Sequence, residues 1–271
     1  MSLPFDVCWE RVNRAEFHRQ ALIRIWEDID VQSVYSSGSQ IDAEGNGVVF
    51  FHNSRKDWLF PFSIQVGEML YNLRSGLDSC VYDAAILEFG GTSPPPDADR
   101  WLFPICETVK DFDNAVKRMR KLPSALRDLI ESVQPYKGMA CTAAGMKWKL
   151  GAVLSVLNKW SVADRHRRLN LVGTAISSGE LGFKFPDPRM IVESCDFEVG
   201  KHLLEDGTEI ARFHVRNYIP GTVANVNTKF TIEIFVDEAT GKAKLQVAAL
   251  TMGLSVSAVR EIFESHYGIK R

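Results

Sequence analysis

Apolar residues recur every three or four positions along several stretches of the chain, and this spacing predicts amphipathic helices. The predicted helices cover residues 6–30, 66–88, 108–121, 124–132, 144–161 and 257–267. Pro123 separates the stretches 108–121 and 124–132, because proline breaks a helix interior. Glycines follow the stretches 66–88 and 257–267, at Gly90 and Gly268, where they favour helix ends.

After residue 168 the period of the apolar pattern changes to two, which is typical of β-strands. The predicted strands cover residues 48–52, 58–63, 169–176, 212–216, 230–236 and 245–249. Glycine and serine predict a turn region at 31–47. Hairpin turns are predicted at 206–207 and 238–242.

Helices followed by antiparallel strands predict an α+β fold. We expect an N-terminal helical bundle core with a short strand pair, followed by a C-terminal antiparallel sheet and a terminal helix. The change of period places the predicted boundary between a helical core, 1–168, and a β subdomain with the C-terminal helix, 169–271.

The composition is typical of a chain with a hydrophobic core. Of 271 residues, 45% are hydrophobic and 24% are charged, which excludes a disordered chain. No apolar run approaches the ~20 residues that span a bilayer, and the first residues carry no signal-peptide pattern, so we expect no membrane segment. The 5 cysteines form no CxxC pair, which argues against a thiolate metal site and favours a reducing cytoplasm.

Charge is distributed unevenly although the net charge is only -2. Residues 1–109 carry a net charge of -8, whereas residues 110–170 carry +8. The basic segment 110–170 is therefore a candidate surface for RNA or for an anionic small molecule. The alternative is that it neutralises the acidic N-terminal third, within one chain or across a dimer.

Several enzyme classes are disfavoured by missing motifs. The sequence lacks the Walker A loop, the GxGxxG turn, the GxSxG elbow and the HExxH helix. Each motif is mechanically required for its class. Histidines and carboxylates that could bind a metal ion have no diagnostic spacing, so we expect neither a metal nor a cofactor.

Polar residues within the long apolar helices are candidate site residues. Arg74 and Asp78 are four residues apart and therefore neighbours on one side of the second long helix. Gly76 between them would permit close approach of another helix or a ligand. If the first, second and third long helices pack together, their polar residues converge. The candidate set is His18, Asn72, Arg74, Asp78, Asp164, His166 and Arg167.

This set is competent for phosphate chemistry. Arg74 would hold a phosphate, while His18 or His166 would transfer protons near neutral pH. A binding or structural network would be formed by Asn72, Asp78, Asp164 and Arg167. The alternative is that the Arg74–Asp78 pair only fixes the register of packed helices.

Four stretches of the chain resemble a family of uncharacterised bacterial proteins. The family's second helix reads roughly GDxLHNLRSALDHL, and a later segment reads DKHR. The corresponding segments here are GEMLYNLRSGLD at 67–78 and Asn158 with DRHR at 164–167. RAEFH at 14–18 and the pair FPI at 103–105 with QPY at 134–136 complete the resemblance. It spans about residues 10–175 and implies no known activity.

A weaker resemblance is to HEPN proteins. These are helical bundles, often dimeric, in which an arginine and a histidine separated by four to six intervening residues form an RNA-cleaving site. Arg74 matches the arginine, but Ser79 stands where the histidine would be and cannot act as an imidazole acid or base. The resemblance implies an RNA- or nucleotide-associated protein. On this resemblance, the protein would be either a metal-independent ribonuclease that uses His18 or His166, or a catalytically degenerate relative of such an enzyme.

Two other functions remain open at this point. The chain could be a non-catalytic homodimeric interaction protein in which the Arg74–Asp78 network is architectural. It could also be a helical bundle in which Arg74 contacts a small anionic ligand. The expected partners are accordingly RNA or an anionic small molecule, and a second copy of the chain.

Overall fold

A computed structural model describes residues 3–29, 34–53, 59–119, 122–143, 145–166, 173–197, 206–236 and 243–270. The predicted α+β class is confirmed. The helices are α1 (Asp6–Glu27), α2 (Phe60–Glu88), α3 (Val109–Val116), α4 (Ser124–Ser132), α5 (Leu150–His166) and α6 (Leu245–His266). The strands are β1 (Tyr35–Ile41), β2 (Asn46–Asn53), β3 (Ala140–Ala143), β4 (Met146–Lys149), β5 (Gly173–Lys184), β6 (Ile191–Phe197), β7 (Glu209–Arg216), β8 (Asn225–Val236) and β9 (Ala243–Lys244).

The chain forms two compact units. The helical unit consists of Met1–Arg24, Phe62–Leu169 and Gln246–Arg271, and the β unit consists of Ile25–Pro61 and Asn170–Leu245. This division differs from the predicted boundary at residue 168. The N-terminal strands belong to the β unit because β2 pairs with β7 in one sheet. The C-terminal helix belongs to the helical unit because its apolar stripe is buried there.

In the helical unit, α1 runs antiparallel to α2. The backbone N–H of Phe5 donates to Asp83 Oδ2 at 2.7 Å, near the C-terminal end of α2. At the other end of the pair, His18 Nδ1 and Gln65 Oε1 are 2.8 Å apart. The buried face of α1 carries Cys8, Ala15 and Leu22, which are spaced by seven residues as one helical stripe requires.

Helix α6 is longer than predicted, and the strand predicted at 245–249 is wrong because those residues form its first turns. Over five residues an alternating pattern fits either period. The full stripe is helical in spacing and buried: Leu245, Ala249, Met252, Val256, Val259 and Phe263. The ring of Phe263 lies 6.1 Å from that of Phe5 and 6.5 Å from that of Phe103.

Among the described residues, α6 is also the one helix long and apolar enough to cross a bilayer by length and composition. A core helix passes the same test, and the side chains of Arg260 and Glu264 on α6 are 6% and 9% exposed. The guanidinium of Arg260 lies 4.4 Å from the ring of Trp9 on α1.

Three other local predictions are corrected. The turn predicted at 31–47 contains strand β1, because residues 35–41 pair antiparallel with β2. The strand predicted at 58–63 is the start of α2 from Phe60 onward. The first turns of the helix predicted at 144–161 are strand β4, where exposed lysines alternate with Met146 and Trp148. The predicted turn at 238–242 lies outside the described residues.

The β unit contains two antiparallel sheets, ordered β1-β2-β7-β6 and β5-β8-β9. Aromatic rings join them, since Phe183 lies 4.6 Å from Phe213 and Phe197 lies 6.0 Å from Phe230. Gly47 in β2 makes room for this core, because a Cβ there would come within 2.2 Å of the Phe213 ring.

Two glycines in the helical unit differ in the space that is available for a side chain. A Cβ at Gly151 would lie 2.3 Å from the Cα of Pro135, whose backbone cannot move aside cheaply. A Cβ at Gly76 would lie 3.5 Å or more from Arg11, Val256 and Cys8, which is ordinary van der Waals contact. The close approach expected at Gly76 therefore leaves room for an alanine.

We predict that Gly151→Ala lowers the melting temperature, because overpacking costs about 1–3 kcal/mol. Gly76→Ala should keep or raise the melting temperature, since alanine favours helix over glycine by about 1 kcal/mol. Thermal denaturation of both variants and the parent checks this. Equal melting temperatures for the two variants would contradict the packing described at these helices.

Candidate functional site

Arg74 and Asp78 hold both polar backbone groups of Phe103. They lie one turn apart on α2, with Arg74 Nη2 3.2 Å from Asp78 Oδ1. Arg74 Nη2 donates to the carbonyl oxygen of Phe103 at 2.5 Å, and the N–H of Phe103 donates to Asp78 Oδ1 at 2.8 Å. Phe103 itself is fully buried in a segment without regular secondary structure. The pair therefore satisfies a buried backbone that no helix or strand partner satisfies.

The charges of this pair are partly removed from water, since the two side chains are 17% and 27% exposed. Burial lowers the pKa of Arg74, and the neighbouring Asp78 carboxylate opposes that shift while Arg165 adds to it. Burial likewise raises the pKa of Asp78, against the effects of Arg74, the Phe103 N–H and Arg165. Arg74 Nη1 is buried and has no hydrogen-bond partner among the described residues. The guanidinium is thus held by the Phe103 carbonyl and by Asp78.

Gln134 holds the same segment from another side. Its side chain is fully buried. Its Oε1 accepts the N–H of Cys106 at 2.9 Å, and its Nε2 donates to the carbonyl oxygens of Pro104 and Ile130 at 2.9 and 3.0 Å. We call residues 103–106 the clamped segment, because side chains on both sides bond its backbone. The role of Gln134 was missed from the sequence, although the QPY stretch of the family resemblance contains it.

The side chain of His18 bonds to α2 at a different position along the helix axis from Arg74. Its partner Gln65 precedes Arg74 by nine residues, which is about 14 Å along a helix axis. The structure records no contact between His18 and Arg74. The proton-transfer role predicted for His18 therefore has no geometric support at this guanidinium.

Helix α5 places Arg165 near Arg74, whereas Asp164 on the same helix lies elsewhere. A Cβ on Gly67 would come within 3.0 Å of Asp164 Oδ1, so this carboxylate sits against the first half of α2. Burial and the nearby Glu68 carboxylate raise the pKa of Asp164, and Arg165 opposes the shift. The side chain of His166 and all of Arg167 lie outside the described residues.

Asn72 joins α1 to α2. It is 4% exposed, its Nδ2 donates to the carbonyl oxygen of Glu68 at 2.8 Å, and its Oδ1 accepts from Arg11 Nη1 at 3.1 Å. The guanidinium of Arg11 also lies 5.4 Å from the ring of Tyr71. Asn72 therefore belongs to the helix–helix contact and not to the Arg74 pair.

The basic segment is partly neutralised within the helical unit. Arg127 pairs with Asp113 and Lys137 with Glu131, both at 2.7 Å, while Lys159 is 3.9 Å from Glu107. Such exposed pairs contribute about 1 kcal/mol or less. Lys147 and Lys149 are exposed on one face of β4 and make no ion pair in the part of the chain that the structure describes.

Within the described ranges, no group of three or more His, Cys, Asp or Glu residues could hold a metal ion. Compared with models of known families, with curated proteins and with solved structures, the chain has no match. The family and HEPN resemblances therefore remain predictions from the sequence. What the residues themselves provide is a partly buried Arg–Asp pair that is bonded to backbone.

We predict that Arg74→Ala lowers the free energy of unfolding by about 2–3 kcal/mol, because it leaves Asp78 and the Phe103 carbonyl without their donor. Arg127→Ala is the matched control, since its partner Asp113 is exposed, and it should cost about 1 kcal/mol or less. Denaturant unfolding of both variants checks the contrast. Similar losses for the two would show that the Arg74 contact contributes no more than a surface pair.

Proposed function

We propose that this chain is a non-catalytic interaction protein, in which the Arg–Asp pair of a HEPN-like helix holds the fold together instead of cleaving RNA. The observation that carries this proposal is the bonding of Arg74 and Asp78 to the two polar backbone groups of Phe103. A guanidinium that binds a scissile phosphate needs donors directed at open space. Arg74 directs one to a buried carbonyl oxygen, and its other terminal nitrogen is shielded from solvent.

The residue at the expected histidine position supports the same proposal. Ser79 Oγ donates to the carbonyl oxygen of Gly76 at 2.7 Å, within its own helix. A serine hydroxyl does not titrate near neutral pH, so it cannot replace imidazole as acid and base. General acid–base catalysis requires a titrating group within hydrogen-bond reach of the reacting atoms. His18 is bonded to Gln65 instead.

Exposed apolar residues support an interaction role. Val7 and Phe17 on α1 and Ile64 and Tyr71 on α2 are each about half exposed, between 49% and 56%. Apolar surface of this kind is a common feature of protein contact sites. Because α1 and α2 are adjacent, the four residues belong to one region of the helical unit.

The proposal predicts that the purified protein does not cleave single-stranded or hairpin RNA, with or without chelator, above the rate in buffer. Arg74→Ala should leave that result unchanged and should only lower the melting temperature. Incubation with labelled RNA, read on a denaturing gel, measures the cleavage. Arg74→Lys is the second variant, since it keeps the charge if Arg74→Ala does not fold. RNA cleavage by the parent that folded Arg74→Lys or Arg74→Ala loses would overturn the proposal.

A further inference from the structure

An outward stripe of α1 carries four residues in a symmetric order. Val7, Glu10, Arg14 and Phe17 follow one another at spacings of three, four and three residues, so they share one side of the helix. All four are exposed, Val7 at 50% and Phe17 at 54%. They face away from the buried stripe described above. An open groove of about 590 Å³ runs beside them.

Helix α2 extends this face. Tyr71 is 56% exposed and lies under the guanidinium of Arg11, which places it beside the middle of the α1 stripe. Ile64 is 49% exposed and lies one residue from Gln65, the partner of His18, so it belongs to the Phe17 end. The face therefore has apolar groups along its length and charges near its centre.

The charges at the centre are available for a partner. Glu10 and Arg14 are four residues apart, a spacing at which such residues often pair within one helix. In the described part of the chain neither makes an ion pair, and the Arg14 guanidinium lies 5.9 Å from the ring of Phe17 instead.

The order along the helix is apolar, acidic, basic, apolar. If a second copy of α1 lies antiparallel to the first, apolar residues face apolar residues and the acidic residue faces the basic one. With a two-fold axis at the level of residue 12, Glu10 faces the partner's Arg14, and Val7 faces the partner's Phe17. A two-fold interface requires this kind of self-complementary patch. We propose that two copies of this chain associate through antiparallel α1 helices, with Glu10 paired to the partner's Arg14 at two equivalent positions. This inference rests on the proposed interaction role and names the partner.

Charge also favours a second copy over a nucleic acid on this face. Asp6 and Glu10 line the groove together with Arg11 and Arg14. Carboxylates repel phosphates, whereas alternating charges suit a protein surface with the complementary order.

The test is charge reversal on the full chain, followed by sedimentation equilibrium from about 1 to 100 µM. The parent should sediment as a dimer. Glu10→Arg places two arginines opposite each other at both positions, and Arg14→Glu places two glutamates there, so each should weaken association at least about a hundredfold. An equal mixture of the two variants restores opposite charges at both positions, and it should form a heterodimer.

Asp128→Arg is the matched control, since Asp128 is an exposed carboxylate on α4, a helix that contributes no residue to the lining of this groove. It should remain dimeric. When the parent and the variants are compared as monomers, all of them should have the same melting temperature. A monomeric parent, a dimer that survives Glu10→Arg, or a mixture that stays monomeric would overturn the inference. If a monomeric parent instead binds single-stranded RNA and Phe17→Ala abolishes binding, the face serves RNA and the inference fails. None of these results concerns RNA cleavage, so the proposed lack of catalysis is judged separately.

Discussion

The clamped segment 103–106 buries Phe103 and Cys106 without a helix or strand to bond its backbone, and three side chains meet that requirement. Arg74 and Asp78 bond both polar groups of Phe103 from α2, and Gln134 bonds Pro104 and Cys106. A buried peptide group without a partner costs about 1–3 kcal/mol. The path of the chain between α2 and α3 therefore depends on three side chains, two of which, Arg74 and Asp78, look in the sequence like parts of an active site.

The same contacts are the basis of the proposed lack of catalysis at Arg74. A guanidinium can bind a phosphate only if its donors are free, and RNA cleavage by general acid–base catalysis also needs a proton-transferring group nearby. Here the Phe103 carbonyl and Asp78 occupy one terminal nitrogen, the other is shielded, and His18 is bonded about 14 Å away along α2. Exposed apolar side chains, on which the proposed interaction role rests, are present on α1 and α2.

Contacts between residues close in the sequence were predicted better than contacts between residues far apart in it. The adjacency of Arg74 and Asp78 follows from a spacing of four on a helix, and it was predicted correctly. Their bonds to Phe103 join residues 25 and 29 positions apart, and no local period encodes such a contact. The strand predicted over 245–249 failed for a related reason, since five alternating residues fit both periods and burial of the whole α6 stripe decides between them. Strand β1 was missed because its serines and glycine are turn formers, and its pairing with β2 outweighs their preference.

Amide hydrogen exchange at Phe103 and Cys106 tests the central claim most directly. If side chains hold this segment, both amides exchange slowly in the parent, because both are bonded and buried. In Asp78→Ala the Phe103 amide loses its acceptor and should exchange much faster, while Cys106, which Gln134 still holds, should stay protected. Fast exchange at Phe103 in the parent, or protection that survives Asp78→Ala, would contradict the account.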